Sequence, residues 1–251
     1  MAPRPIAIIS GGCGGIGSGI GRTLAENGFD IIALYLSTPK ARAEAVVGGF
    51  APGQHEAVMC DIRDGNTTDA VLADILRRRG VPAACIHAAV SPIIRKSLLN
   101  LSSAELDDQF AVGFFGGFNF MRPLAKAMSA AKHGVIIGLL SRAALQPETS
   151  FGRMGGYLLA KESTEALLKD MRKELSGSSV RVNAIAASFI DTPLSDDLPR
   201  EVKAFLLERM PGEKEHVEDV ADAALALCSG AWKDADGAII TPSLKKIADL
   251  A

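Results

Sequence analysis

Short apolar runs alternate along the chain with longer stretches of helical spacing. Residues 6–9 form the first run, and Ile16, Ile20 and Leu24 follow at steps of four. Gly28 closes that helix, because glycine takes a left-handed cap without steric cost. Further apolar runs lie at 31–36, 57–60, 83–89, 135–140 and 180–186. Helical periodicity covers about 103–132, 155–175, 201–210 and 217–228. An unbroken apolar run suits a strand buried on both faces. The alternation predicts an α/β fold: a doubly wound parallel sheet flanked by helices on both faces. No internal repeat or polar linker divides the chain, so 1–251 reads as a single domain. Residues 191–211 read as an inserted flap, which places a substrate flap at about 188–212.

Composition narrows the classes. The 251 residues are 48% apolar and 22% charged, which excludes wholesale disorder. A net charge of −2 gives no footprint for nucleic acid. No apolar run is long enough to span a membrane, and the first twelve residues are too weakly apolar for a secretion signal. Cys13, Cys60, Cys85 and Cys228 form no C-x-x-C pair, so neither a metal site nor a disulfide framework is expected. A cytoplasmic protein with reduced thiols fits these features.

The segment Ser10-Gly11-Gly12-Cys13-Gly14-Gly15-Ile16-Gly17 joins the first run to the first helical stretch. Small residues there let the backbone approach a pyrophosphate, and the helix start offers unpaired N–H groups. This strand–turn–helix order makes the fold Rossmann-type and predicts dinucleotide binding. Cys13 reads as an inert small side chain; the alternative is a thiol activated by the helix N-terminus. Asp30 follows Gly11 by nineteen residues, near the count for an acid on the adenosine ribose. It begins the second strand, however, and ligands bind at strand carboxyl ends, about 20 Å away. That end carries Tyr35, Leu36, Ser37 and Thr38, then Lys40 and Arg42, with no acid to repel a 2′-phosphate. NADP(H) is therefore preferred, with NAD(H) possible. Asp61 ends the third run and suits either an adenine amino group or a turn.

Tyr157 and Lys161 open a later helical stretch one turn apart, so they share a face. A neighbouring ammonium lowers the pKa of a phenol, which is otherwise about 10. With the glycine loop ahead of this pair, the chain resembles the short-chain dehydrogenase/reductase family along nearly its whole length. Ser10 to Gly17 resembles the family's T-G-x-x-x-G-I-G with serine for threonine. Ser141, after the fifth strand, matches its catalytic serine, and Tyr157 and Lys161 match its tyrosine and lysine. The resemblance implies that Tyr157 exchanges a proton with the reacting oxygen, Ser141 polarises the carbonyl, and Lys161 binds the nicotinamide ribose. It implies a cofactor-binding set of Ser10, Gly11, Cys13, Gly15, Ile16, Gly17, Tyr35, Ser37, Asp61, Ile62, Ala88, Ala89, Lys161, Ile190 and Thr192.

Departures from the family pattern are specific. His87-Ala88-Ala89-Val90 stands where the family has N-N-A-G, and His87 reads as a structural hydrogen-bonding substitute. Gly113 stands at the family's helix asparagine, and Asn119 is turned by about 240° from it. Ala187-Ser188 replaces the usual Pro-Gly, and the C-terminal glycine pair is absent from 239–243. Tyr157 follows Ser141 by sixteen positions, a long spacing that reshapes the rim around Gln146, Phe151 and Met154. Within the family the chain resembles bacterial 3-oxoacyl-thioester reductases. Lys126 and Arg172 are candidate contacts for an acidic carrier, and Phe189, Leu194, Leu198, Phe205 and Leu206 give the flap an apolar face. The expected partner is a small-molecule carbonyl or alcohol. Alcohol, polyol or sterol dehydrogenation is the second reading, and a cofactor-binding regulator without turnover the third. A homodimer or homotetramer is implied, with 110–124 as a candidate surface or core segment.

Overall fold

A computed structural model describes residues 3–146, 152–209, 214–242 and 246–249. Phe151, Met210, Pro211 and Ser243, with the side chains of Phe205 and Leu206, lie outside the described residues.

The predicted sheet is present. Its strands are β1 (Ile6–Ser10), β2 (Asp30–Tyr35), β3 (Glu56–Met59), β4 (Ala84–His87), β5 (Gly134–Ser141), β6 (Val180–Ala187), β7 (Ala238–Thr241) and β8 (Lys246–Asp249). They lie in the order β3-β2-β1-β4-β5-β6-β7-β8. The seven strands β3 to β7 in this order are parallel neighbours, and β8 is added antiparallel to β7. The order reverses between β1 and β4, the switch point where such sheets bind ligands.

Helices cover both faces, and strand alternation divides the side chains between them. Ala7 and Ile9 of β1, with Ile31 and Ala33 of β2, pack under α1 (Gly15–Glu26), α2 (Lys40–Gly48) and α9 (Val217–Cys228). Ile8 and Ile32 face the other way, toward α3 (Gly65–Arg79), α5 (Gly117–Ala131) and α7 (Gly155–Glu174). A short α6 (Arg142–Leu145) follows β5, and α8 (Arg200–Arg209) lies in the flap.

The period running through 103–132 predicts one helix, but the structure divides it. A Ser102–Glu105 capping box starts α4 (Ser103–Phe110), a π-helical turn spans Ala111–Gly116, and α5 comes directly after it. Three glycines loosen this stretch, and two serve close packing. A Cβ on Gly116 would meet Ile62 Cγ1 at 2.8 Å, and one on Gly117 would meet His87 Nε2 at 3.0 Å. The extra residue of a π-turn rotates the downstream helix about its axis, and such turns often lie at functional sites. Within 110–124, Phe120, Met121 and Leu124 are core, whereas Phe115 and Phe118 are exposed.

Candidate active site

The glycine loop is shaped by steric necessity. Gly11 has φ +69°, and a Cβ there would lie 2.8 Å from Ala89 Cα. A Cβ on Gly17 would lie 2.2 Å from the Gly11 carbonyl oxygen. The N-cap of α1 is Gly14, with no side-chain cap and no acid in the first turn. The first amides of α1 thus meet an anion without competition from a side chain. Gly15 packs against Thr192, 3.0 Å from a Cβ at that position to the threonine Cβ, so the flap begins against the loop. This cradle fits a dinucleotide pyrophosphate. Cys13 is buried with its Sγ 4.0 Å from the Ala43 carbonyl, and burial raises its pKa. The thiol stays protonated, in line with an inert side chain and against the activated one.

The adenosine end lies at the carboxyl ends of β2 and β3. Tyr35 is buried, while Ser37, Lys40 and Arg42 are exposed. Asp30 lies at the opposite end of β2, tied to Arg79 and to the Gln54 amide. Asp61 is gripped by Arg63 through Nε at 2.8 Å and a terminal nitrogen at 2.6 Å, and that guanidinium lowers its pKa. Asp61 also accepts from the Arg63 amide, one of the two roles its position suits. Ile62 is buried against Gly116.

A cavity of about 410 Å³ opens at the carboxyl ends of β4, β5 and β6, lined by Ile16, Ala88, Ser141, Tyr157, Lys161, Ile190 and Thr192 among others. Seven expected site residues thus converge on it. Ser141 is the last residue of β5, and Tyr157 sits in the first turn of α7. Lys161, one turn on, is buried; its Nζ donates to the Leu139 carbonyl at 2.6 Å and lies 5.9 Å from the Tyr157 ring centre. Burial lowers the Lys161 pKa to about 8. The Tyr157 pKa moves up, not down as the lysine pairing predicts, because desolvation outweighs the hydrogen bond from Ser141 and the charge of Arg95.

His87 occupies the core between these groups. Gly113 O can only accept, so His87 Nε2–H donates to it at 3.0 Å; Nδ1 then accepts from the Ser10 hydroxyl at 2.8 Å. Burial, then the Lys161 charge, lowers its pKa to about 4. The histidine is a neutral structural link, as the sequence suggests. Thr164 Oγ1 lies 3.1 Å from the same Gly113 O and 2.8 Å from Ala160 O, so its single proton is shared between the two carbonyls. Asn119 faces elsewhere and donates to the Ile62 and Arg63 carbonyls.

Sequence reasoning missed the cavity's arginines. Arg95, Arg142 and Arg153 all line it. Arg142 is 2% exposed and lies beside the buried Glu215, which accepts from the Ser188 amide. Arg95 ties to Asp197 on the flap and to Met154 Sδ. The available signal was a lone arginine inside the apolar 90–95 stretch. Met154 lines the cavity with Leu194 and Leu198, but Gln146 does not. Arg172 pairs with Asp236 and Lys126 faces a separate shallow groove, so neither is near the cavity mouth. Among the described residues no His, Cys, Asp and Glu cluster suits a metal, and no helix is long and apolar enough to cross a membrane.

Comparisons agree with this geometry. Residues 11–241 match the family profile described as enoyl-(acyl carrier protein) reductase. The chain is 31% identical over 239 residues to the 2,3-dihydro-2,3-dihydroxybenzoate dehydrogenase of Bacillus subtilis (strain 168), covering 90% of this chain and 89% of that one. It is 26% identical to a 3-oxoacyl-[acyl-carrier-protein] reductase of Thermotoga maritima, covering 94% of each. The crystal structure of levodione reductase superposes with a TM-score of 0.84 at 19% identity, covering 95% of this chain and 96% of that one. The cradled helix start, the Ser141–Tyr157–Lys161 cavity and the match across 11–241 place the chain in the short-chain dehydrogenase/reductase family of NAD(P)-dependent oxidoreductases.

Proposed function

We propose that the chain reduces a carbonyl to an alcohol with NADPH, using Ser141, Tyr157 and Lys161 as its catalytic set. The observation that carries this reading is their convergence on one apolar cavity that reaches Ile16 at the start of α1. When bound, NAD(P)H supplies the hydride for the carbonyl carbon. The Ser141 hydroxyl donates to the carbonyl oxygen and polarises it. Tyr157 gives its phenolic proton to that oxygen as charge develops. Its raised pKa favours this donor role at neutral pH. Lys161, anchored on Leu139 O, holds positive charge beneath the phenol and would hold the nicotinamide ribose. In the oxidative direction Tyr157 must first lose its proton, so that rate climbs as pH rises.

The preference for NADPH rests on the end of β2, where Ser37, Lys40 and Arg42 are exposed and no acid stands among 35–42. The pyrophosphate is assigned to Ser10, Gly11, Cys13, Gly15, Ile16 and Gly17, and the adenosine to Tyr35, Ser37, Asp61 and Ile62. Ala88, Ala89, Ile190 and Thr192 flank the nicotinamide. Exposed Phe115 and Phe118 support a homodimer or homotetramer, which sedimentation would test. The chain's composition favours a cytoplasmic setting.

The test is NADPH oxidation with an acetoacetyl thioester, run beside NADH. Turnover with NADPH preferred supports both parts of the reading; turnover with NADH preferred removes the phosphate-tolerant adenosine site. A second reading, dehydrogenation of a ring alcohol, is favoured by the 31% identity to the Bacillus enzyme. Oxidation of cyclic diols with NAD faster than any reduction would select it. Cofactor binding without turnover of any carbonyl or alcohol would select the regulator instead.

A further inference from the structure

We infer that the substrate is an acid: its carboxylate binds Arg95 while its carbonyl meets Ser141 and Tyr157. The inference rests on the carbonyl–alcohol reading above and names the substrate class of that same site.

The cavity wall is mainly apolar, yet four cations line it and, among the described residues, no Asp or Glu does. Two of the four are internally engaged. Lys161 donates to a backbone carbonyl, and Arg142 is buried beside Glu215. Arg153 is exposed at the cavity mouth and adds positive charge there. Arg95 differs from the buried pair. Its Nε and one terminal nitrogen contact the Asp197 carboxylate at 2.7 and 3.2 Å. Its other terminal nitrogen meets only Met154 Sδ, at 3.7 Å, among the described residues. Thioether sulfur is a weak acceptor. Met154 lines the cavity, so this weakly satisfied side of the guanidinium lies at the cavity wall.

A planar fork with one side on a carboxylate and the other on a sulfur retains donors for a second carboxylate. The flap carboxylate takes Nε and one terminal nitrogen and leaves the other terminal nitrogen on the sulfur. The Asp197 side chain is 52% exposed, against 23% for Arg95. An acid bound between Arg95 and the apolar wall replaces the sulfur contact with a charge-assisted hydrogen bond. Arg95 is close enough to the reaction centre for its charge to act on Tyr157. A carboxylate on Arg95 and a carbonyl at Ser141 and Tyr157 share this one cavity of about 410 Å³, which suits a compact molecule rather than a long chain.

The experiment compares 3-oxocyclohexanecarboxylate with its methyl ester as substrates, and benzoate with benzamide as ligands of the NADP-loaded chain by calorimetry. The acid is expected to exceed the ester in kcat/KM by about tenfold or more, the range of a charge-assisted hydrogen bond. Arg95→Gln is expected to remove that preference, bringing the acid-to-ester ratio of kcat/KM to about one. Asp197→Asn separates recognition from a flap tie: the preference survives it if Arg95 binds the substrate. Equal use of acid and ester overturns the inference and leaves the reductase reading standing. Loss of the preference in Asp197→Asn as large as in Arg95→Gln also overturns it, making Arg95 a flap anchor. If neither compound turns over, ligand binding decides. Arg95-dependent preference for benzoate then keeps the anion site and counts against the carbonyl reading, whereas equal binding of benzoate and benzamide overturns the anion site.

Discussion

At the amino ends of the strands, Asp30 accepts from the Gln54 amide at 2.9 Å and pairs with Arg79 and Arg4, each at 3.3 Å. Glu56, at the start of β3, takes Arg78 and Arg79. Arg4 also donates to the carbonyls of Ala25, Gly28 and Phe29. Acids and cations there answer one another within the chain. At the carboxyl ends the pattern changes. Four cations line a cavity without an acidic neighbour in its described wall, glycine amides lack a capping side chain, and a serine and a tyrosine sit at the surface of the cavity. At the amino ends such groups hold the fold together; at the carboxyl ends Arg95 on Asp197, Arg142 beside Glu215 and Lys161 on Leu139 O have partners too, but they border an open cavity. The difference lies in whether the polar groups border a cavity that a ligand can enter.

The largest effect that tests this contrast belongs to Tyr157→Phe. Turnover should fall by about a thousandfold, within the range of general acid catalysis, with cofactor affinity and thermal midpoint nearly unchanged. Steady-state rates beside a cofactor titration measure it; retained turnover would remove Tyr157 from the chemistry. His87 comes next, a carboxyl-end residue that behaves as structure. Its folded pKa of about 4 lies below the reference 6.5, so its contribution is fully present above pH 6.5. That contribution fades as pH falls through 4, by up to about 3 kcal/mol. Denaturant unfolding from pH 7 to 4 should show a slope that His87→Asn reduces. Asp30→Ala should cost about 2 kcal/mol of stability, because it leaves Arg79 without one of its partners. Its kcat/KM should match the parent protein; a lost activity would dissolve the division between the two ends. Smallest is Asp61→Asn, which should raise the KM for NADPH by about threefold or less, since Arg63 already holds that half-exposed carboxylate. A calorimetric titration of the cofactor provides the check.

Strands β1 to β6 were legible because burial in the sheet writes itself as continuous apolar runs, whereas the four-residue β7 and β8 were not among those runs. The position of Asp30 could be judged for the same reason: a strand's direction fixes which of its ends meets the ligand. Glycine order revealed the loop, since only missing side chains permit the contacts made by Gly11 and Gly17. Other features left fainter traces. α2 has little amphipathic patterning, with only Ala43 and Val47 buried, and α3 runs through charged sequence with only Thr68, Leu72 and Ile75 buried. The π-turn at Ala111–Gly116 depends on packing against Ile62 and His87, which local periodicity does not carry. Arg95 and Arg142 went unassigned because their surroundings come from segments far apart in sequence. The Tyr157 pKa moved against expectation for a related reason: a neighbouring charge is visible in a motif, but the depth of burial is not.

The antiparallel β8 has a consequence for solubility. β7 is four residues long, all buried, and meets β6 at only two paired positions, Ala184 with Ile239 and Ile185 with Ile240. β8 covers its other side along all four residues, from Ala238 opposite Asp249 to Thr241 opposite Lys246. A chain ending after Thr241 would keep every residue proposed for cofactor and catalysis. It would also leave an apolar strand with an open row of backbone donors and acceptors, ready to recruit another chain. Such a truncation should fail first by self-association, well before its chemistry is lost.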